Sequence, residues 1–308
     1  MIRLDNLTKH YGDVVAVDHL SFDVQPGVVT GFLGPNGSGK STTMRMILGL
    51  DYPTSGSVTI DNAKFRDLAL PLHAVGALLD AKSVHPGRTA KNHLRALAAS
   101  NGISNRRVDE VLEIVGLSKV ANKRAGTYSL GMGQRLGIAA AILGDPQILL
   151  FDEPVNGLDP EGIRWVREFF RNLASQGRTV FVSSHLMSEM ALTADEIIVI
   201  GRGKMIRQGT VDQLTSSAVG TVFVRSPQLD VLTTLLKKQG ITVTENSETT
   251  LTATGATADQ IGEMAFSNHV ILHELTPQRA SLEDVFMELT ADSVEFGGTT
   301  ATSLGAVT

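Results

Sequence analysis

The chain has 308 residues, enough for two domains at roughly 100–200 residues each. It is 42% hydrophobic and 19% charged with a formal charge of −5, so it lacks the basic footprint expected if nucleic acid were its main partner. It has no cysteine, which excludes disulfides, thiolate metal sites and cysteine nucleophiles. The start, Met1-Ile2-Arg3-Leu4-Asp5, lacks the apolar core of a signal peptide, and no run approaches the roughly 18 apolar residues of a membrane-spanning helix. Any link to a membrane is therefore expected to run through a partner.

Residues 2–24 alternate in short apolar runs, with Val14-Val15-Ala16-Val17 and then Leu20, Phe22 and Val24, and predict antiparallel strands. Gln25-Pro26-Gly27 is a turn ahead of Val28-Val29-Thr30-Gly31-Phe32-Leu33, a short buried strand. Next stands Gly34-Pro35-Asn36-Gly37-Ser38-Gly39-Lys40-Ser41-Thr42, which fits the phosphate-loop pattern G-x-x-x-x-G-K-[ST]. Met44, Ile47 and Leu48 follow at helical spacing and Gly49 marks a stop. Strand, glycine loop and helix in that order aim backbone N–H groups and a positive helix end at one point. Lys40 is then placed for the β- and γ-phosphates and the Ser41 hydroxyl for Mg²⁺, so the stretch predicts a nucleoside triphosphate site. Tyr11 is the one aromatic early enough in the chain to stack on a base; a plain core or surface tyrosine is the alternative.

Pro53-Thr54-Ser55-Gly56 predicts a turn and Ser57-Val58-Thr59-Ile60 an edge-like strand. Val75-Gly76-Ala77-Leu78-Leu79-Asp80 predicts a strand ending in an acid. From about 85 to 145, helix formers dominate, with helices expected over 90–100, 106–115 and 130–143: a helical lobe inserted into an α/β core. Ser129 opens the last of these, so its hydroxyl and the nearby N–H groups offer an anion site.

Gln147-Ile148-Leu149-Leu150-Phe151 reads as a parallel strand buried on both faces, with Asp152 and Glu153 at its carboxyl end, where open α/β sheets bind ligands. Behind a phosphate loop, Asp152 is expected to hold Mg²⁺ and Glu153 to orient the attacking water. A helix over 160–175 places Ile163, Val166, Phe170 and Leu173 on one face. Thr179-Val180-Phe181-Val182-Ser183-Ser184 is another buried strand, and His185 at its end is expected beside the γ-phosphate. Strands separated by helices make the core a mostly parallel, wound sheet.

Tyr128-Ser129-Leu130-Gly131-Met132-Gly133-Gln134-Arg135 stands just ahead of that acid-tipped strand, and with it the chain resembles an ATP-binding cassette (ABC) protein, whose signature is of L-S-G-G-Q type. The form S-x-G-M-x-Q-R is similar to ABC-2-type exporters of the daunorubicin- and bacitracin-resistance group. The resemblance implies a phosphate-loop NTPase cassette over 1–215, with a RecA-like core, an antiparallel β-subdomain and the inserted helical subdomain. In that family's terms Tyr11 matches the adenine-stacking aromatic, Gly34 to Thr42 the Walker A loop, and Ser129 and Gly131 the phosphate-contacting signature positions. Asp152 and Glu153 close Walker B, Asp159 falls in the D-loop Asn156-Gly157-Leu158-Asp159, and His185 matches the switch histidine. Asp80 stands where the family has glutamine or glutamate and, being shorter, is expected to reach Mg²⁺ and the γ-phosphate through water.

The same resemblance implies ATP and Mg²⁺ as cofactors and no nucleic acid partner. Two copies are expected to pair head to tail, each ATP lying between Walker A of one and the signature of the other. A separate transmembrane permease would place the chain in the cytoplasm, peripheral on the inner face of the membrane. Its coupling helix is expected in the groove between core and lobe near residues 80–88. The function so implied is ATP hydrolysis that powers efflux. Two alternatives are a soluble cassette acting on DNA or ribosomes and a cassette used as a regulatory switch. The first lacks its usual basic or coiled-coil insertions here; the second is at odds with the presence of Lys40, Asp152, Glu153 and His185.

Residues 216–290 follow the cassette as an accessory α+β domain. Strands are expected over 221–225, 241–244, 250–254 and 270–275, with helices over 229–238 and 258–266. The order βαββαβ resembles a small ferredoxin-like fold. Ser281-Leu282-Glu283-Asp284-Val285-Phe286-Met287-Glu288-Leu289-Thr290 reads as a capped amphipathic helix, similar to the L-E-D-V-F segment ending such export cassettes. Residues 291–308, with Gly297-Gly298 and several threonines, are expected to be a flexible tail.

Overall fold

Apolar alternation over the first residues folds as read. In the computed structural model β1 (Ile2–Tyr11) and β2 (Val14–Val24) pair antiparallel, with Ile2 opposite Val24 and Tyr11 opposite Val14. The structure describes residues 1–308 except 82, 217–219, 279–280 and 291–308, so the expected tail lies outside the described residues. β3 (Val29–Leu33) leads through the glycine loop into α1 (Lys40–Ile47), and β4 (Ser55–Ile60) returns to β1 for a sheet ordered β2-β1-β4. The strand β4 starts inside the stretch expected to be a turn: Ser55 already pairs with Thr8, across an irregularity between Asp5 and Thr8.

A short helix α2 (Pro71–Ala74) precedes β5 (Val75–Leu78). The strand is shorter than expected, so the exposed Asp80 lies two residues beyond its end rather than at it. The helical lobe holds α3 (Ala90–Ser100), α4 (Asn105–Ile114) and α5 (Leu130–Ala141), each started by a hydroxyl side chain, Thr89, Ser104 and Ser129, that accepts the backbone N–H of the third helical residue. Then come β6 (Ile148–Asp152), α6 (Pro160–Ser175), β7 (Thr179–Ser184), α7 (Met187–Thr193), β8 (Glu196–Gly201) and β9 (Lys204–Thr210).

The six strands run β5-β6-β7-β3-β8-β9, with the pairs β5/β6, β6/β7, β7/β3 and β3/β8 parallel. Every residue of β3 and β7 is buried, as a sheet covered on both faces requires. Phe22 of β2 meets Phe32 of β3 and Phe181 of β7 with ring centroids 5.7 and 6.0 Å apart, which joins the two sheets through one core. The elements α7, β8 and β9 had no sequence expectation. β8 and β9 are joined by Arg202-Gly203, both left-handed at φ 46° and 77°, the geometry of a two-residue hairpin turn.

The chain divides into two compact units, the first Met1–Gln208 together with the stretch from Leu289, the second Gly209–Glu288. The second opens with α8 (Val211–Ser216) and contains β10 (Thr221–Arg225), α9 (Leu229–Lys238), β11 (Thr242–Ser247), β12 (Thr250–Thr254), α10 (Ala258–Ser267) and β13 (Glu274–Gln278). Its sheet is ordered β11-β12-β10-β13 and wholly antiparallel, the βαββαβ arrangement read from the sequence. Val222, Val224, Leu251 and Ala253 face Leu232, Leu236 and Ile261 of the helices.

One strand is misplaced by the sequence reading. Residues 270–275 were expected to pair, but β13 sits at Glu274–Gln278, where Arg225 faces Glu274 and Thr221 faces Gln278. Val270 is buried in the helix-covered core and Ile271 is tied to Gln228 and Ser226, so the apolar run is a connection. Pro277 is tolerated because β13 is an edge strand. The expected amphipathic helix is α11 (Leu282–Thr290), begun by a reciprocal bond pair between Ser281 and Asp284. Among the described residues no helix is long and apolar enough to cross a membrane.

Candidate active site

Strand order decides what meets what here. β3 ends between β7 and β8, and β6 lies one strand further along, so the carboxyl ends of β3, β7 and β6 stand side by side. A cavity of about 230 Å³ opens there, lined by Ala16, Asn36, Gly37, Ser38, Gly39, Lys40, Ser41, Thr42, Asp152 and Glu153. α1 begins on Gly39, a residue with no side chain to cap it, so the N–H groups of its first turn are left for a ligand in the cavity. Gly39 is left-handed at φ 102°, and a Cβ on it would stand 2.5 Å from the Ala16 carbonyl. A Cβ on Gly34 would stand 2.4 Å from Ser38 Oγ. Only glycine gives this loop its shape.

Lys40 folds over the loop and donates to the Gly34 and Pro35 carbonyls at 2.6 and 3.1 Å. Burial holds its ammonium below the ordinary lysine value, opposed by the carboxylates of Glu153 and Asp152. Ser41 Oγ donates to Asp152 Oδ2 at 2.6 Å, and Ser183 Oγ donates to Asp152 Oδ1. His185 Nδ1 lies 2.8 Å from Glu153 Oε2, and Glu153 itself is left-handed at φ 50°. Ser38 Oγ is buried with no hydrogen-bond partner among the described residues. An uncapped helix end, a buried cation and a loop with no room for side chains fit a polyphosphate. The hydroxyl of Ser41 and the carboxylate of Asp152 are hard oxygen donors of the kind Mg²⁺ takes.

Other candidates stand apart from this cavity. Tyr11, 48% exposed at the end of β1, donates its hydroxyl to Asp51 Oδ2 at 2.9 Å and carries Lys9 Nζ 4.8 Å from its ring centroid. It is not among the cavity walls, and neither are Asp80 and His185, though His185 reaches them through Glu153. Ser129 caps α5 by accepting from Met132 N, and Asp159 caps α6 by accepting from Gly162 N. Ser129 lines a different cavity of about 360 Å³, with Ala81, Val84, Pro86, Tyr128 and Leu130. Gly131 packs on the Gly157-Leu158 turn.

Two contributors had no sequence expectation. Ser183 holds Asp152 and, through its hydroxyl and carbonyl, the N–H of Glu153. The polar pair Ser183-Ser184 closing an apolar strand was the available signal. Ala16 forms part of the cavity wall, and nothing about an alanine in a strand announces that.

The ABC transporter family model matches residues 17–156, and a domain of unknown function matches 220–283. YhcH of Bacillus subtilis, an uncharacterized ABC transporter ATP-binding protein, is 35% identical over 96% of this chain and 97% of its own length. The bacitracin transport ATP-binding protein BcrA of Bacillus licheniformis is 42% identical over 70% of this chain and 71% of its own. Among solved structures, the dimeric post-hydrolysis state of the ATP-binding cassette MJ0796, bound to ADP and Pi, is 28% identical. It superposes at a TM-score of 0.63, covering 68% of this chain and 98% of that one.

Proposed function

This chain belongs to the ABC transporter ATP-binding proteins, and from that premise we propose that it is the ATP-hydrolysing subunit of an exporter, driving efflux of a drug, antibiotic, lipid or polysaccharide through a separate membrane subunit. The observation that carries the reading is the pair of acids at the end of β6: Asp152 bonded to Ser41 of the phosphate loop, and Glu153 bonded to His185.

Each residue has a physical task. The N–H groups at the start of α1 donate to the phosphate oxygens, and Lys40 exchanges two neutral carbonyls for anionic oxygens, which favours its charged form. Ser41 and Asp152, with Asp80 acting through water, would hold Mg²⁺, which when bound would neutralise charge on the phosphates. Glu153 orients the attacking water and takes its proton, while the His185 ring fixes the direction of that carboxylate. Tyr11 stacks on the base. The catalysis is positioning and charge stabilisation.

Two copies pair head to tail, so that Ser129, Gly131 and Asp159 of one complete the site of the other; the dimeric state of the solved relative supports this. ATP favours the closed pair because its γ-phosphate gains contacts only when both halves meet. The groove between core and lobe near residues 80–88 receives a helix of the membrane subunit, which holds the chain to the inner face of the membrane. BcrA, named for bacitracin transport, supports an antibiotic as cargo.

Glu153→Gln tests the reading. The variant should bind ATP, dimerise more tightly by size-exclusion chromatography, and lose about 10²–10⁴-fold in turnover, the usual contribution of a positioned base. Unchanged hydrolysis removes Glu153 from this role.

A further inference from the structure

Glu153 holds a backbone conformation that non-glycine residues rarely adopt, and its peptide groups are gripped on both sides. Its N–H donates to Ser183 O at 3.2 Å and to Ser183 Oγ at 3.1 Å. Its carbonyl accepts from Gln134 Nε2 at 3.3 Å. Gln134 lies on α5, the helix headed by Ser129, and is only 6% exposed.

That burial is poorly compensated. The amide makes its one bond to Glu153, and Gln134 Oε1 is buried with no hydrogen-bond partner among the described residues. A half-satisfied buried amide destabilises a fold relative to an apolar side chain of the same length, so packing does not account for a glutamine here. Nearby, α5 rests on the turn that follows Glu153. A Cβ on Gly131 would stand 3.1 Å from Gly157 O, and one on Gly157 would stand 2.2 Å from Leu130 Cδ2. The start of α5 and the Glu153–Leu158 turn are therefore packed in close contact, with the Gln134 amide as their hydrogen bond.

We propose that Gln134 is a positioning residue for hydrolysis. Its amide fixes the Glu153 carbonyl, and with it the root of the catalytic carboxylate, while His185 fixes the tip. The bond makes the direction of that carboxylate depend on how α5 is seated, and α5 is the helix whose capping residue, Ser129, is expected to meet the second copy's ATP. The role rests on Glu153 acting on water as proposed for the site.

The test uses the full-length chain, with ATP turnover measured over ATP concentration and pH beside thermal melts. Gln134→Met keeps the length and removes the donor. Its Tm should stay within a few degrees of wild type, because the orphaned amide oxygen it removes offsets the donor lost at the Glu153 carbonyl, and its KM should stay within about twofold. Its kcat should fall about 10- to 100-fold, the scale of an ångström-level misplacement. Gln134→Glu should match it near pH 8 and recover toward wild type near pH 6. Only the neutral carboxyl has a proton to donate, and burial raises a carboxyl into that range.

A kcat for Gln134→Met within about twofold of wild type, a KM or Tm falling in step with kcat, or a Gln134→Glu profile parallel to that of Gln134→Met overturns the proposal. Absence of turnover in wild type, or full turnover by Glu153→Gln, removes the function of the site as well. An inactive Glu153→Gln beside a fully active Gln134→Met removes the positioning role alone.

Discussion

In the six-stranded sheet β3 and β7 are buried at every residue, whereas in the four-stranded sheet β11 and β13 are mostly exposed and β12 alternates buried with half-buried. The two sheets also differ in where polar groups are buried. Around the first, Thr30 and Thr179 lie within and at the start of their strands, while Ser38, Lys40, Gln134, Ser183 and Ser184 gather near the carboxyl ends of β3, β6 and β7. In the second, Ser226 and Thr233 are buried, and Ser226 is taken up by the Ile271 carbonyl. Strand direction accounts for the difference. Parallel strands send all their outgoing loops to one edge, where helix starts and acids accumulate, while antiparallel strands divide their loops between two edges.

This contrast can be tested most severely at Lys40. Lys40→Ala should lower ATP turnover by roughly 10²–10³-fold, the scale for removing one preorganised charge-stabilising donor. A milder and more discriminating pair is Leu150→Ala in β6 and Leu251→Ala in β12, both fully buried. Each should cost about 2–5 kcal/mol of stability in denaturant melts. Only the first should also reduce kcat; a Leu251→Ala chain that melts normally elsewhere yet loses turnover would show that the second sheet serves the active site.

A smaller effect is expected with pH. Since burial lowers the Lys40 pKa, ATP affinity should weaken with rising pH before an ordinary lysine, near 10.4, would titrate. Lys40→Arg should give a flat profile by the same nucleotide titration, because its guanidinium stays charged. The smallest effect belongs to Asp51, held below the usual carboxylate range by its hydrogen bond to Arg45 and then by the Tyr11 hydroxyl. A carboxyl so lowered contributes stability above its unfolded value near 3.9, and that contribution disappears as pH falls through the folded value. The Tm difference between wild type and Asp51→Asn should be slight at neutral pH, as for surface pairs generally, and should close in acid.

The parts legible in the sequence were those whose chemistry is local. Gly34 to Thr42 carries its own geometry in its glycines, and an apolar strand tipped by Asp152 and Glu153 is readable because burial and charge change within two residues. The βαββαβ order was legible from periodicity. What failed depended on long-range pairing. Val270-Ile271-Leu272 has the letters of a strand, but the register that β10 accepts lies four residues on, over Pro277. Asp80 was read onto a strand that ends at Leu78. Gln134 lies within a motif quoted for its serine and glycine, and its bond to a residue 19 positions away has no signature in the letters.

The hairpin turn at Arg202-Gly203 has a consequence for how little of this chain could be cut away. Gly203 N donates to the Ser38 carbonyl at 3.0 Å and Gly203 O accepts from Asp18 N at 2.8 Å, bracing the glycine loop from behind. β7 and β8, the two neighbours of β3, also lie beyond residue 156, where the family match stops. An excised fragment ending there would keep the lysine loop, the serine-led helix and both acids in its letters. It would still be blind to nucleotide, because the scaffolding that shapes the loop is supplied from downstream.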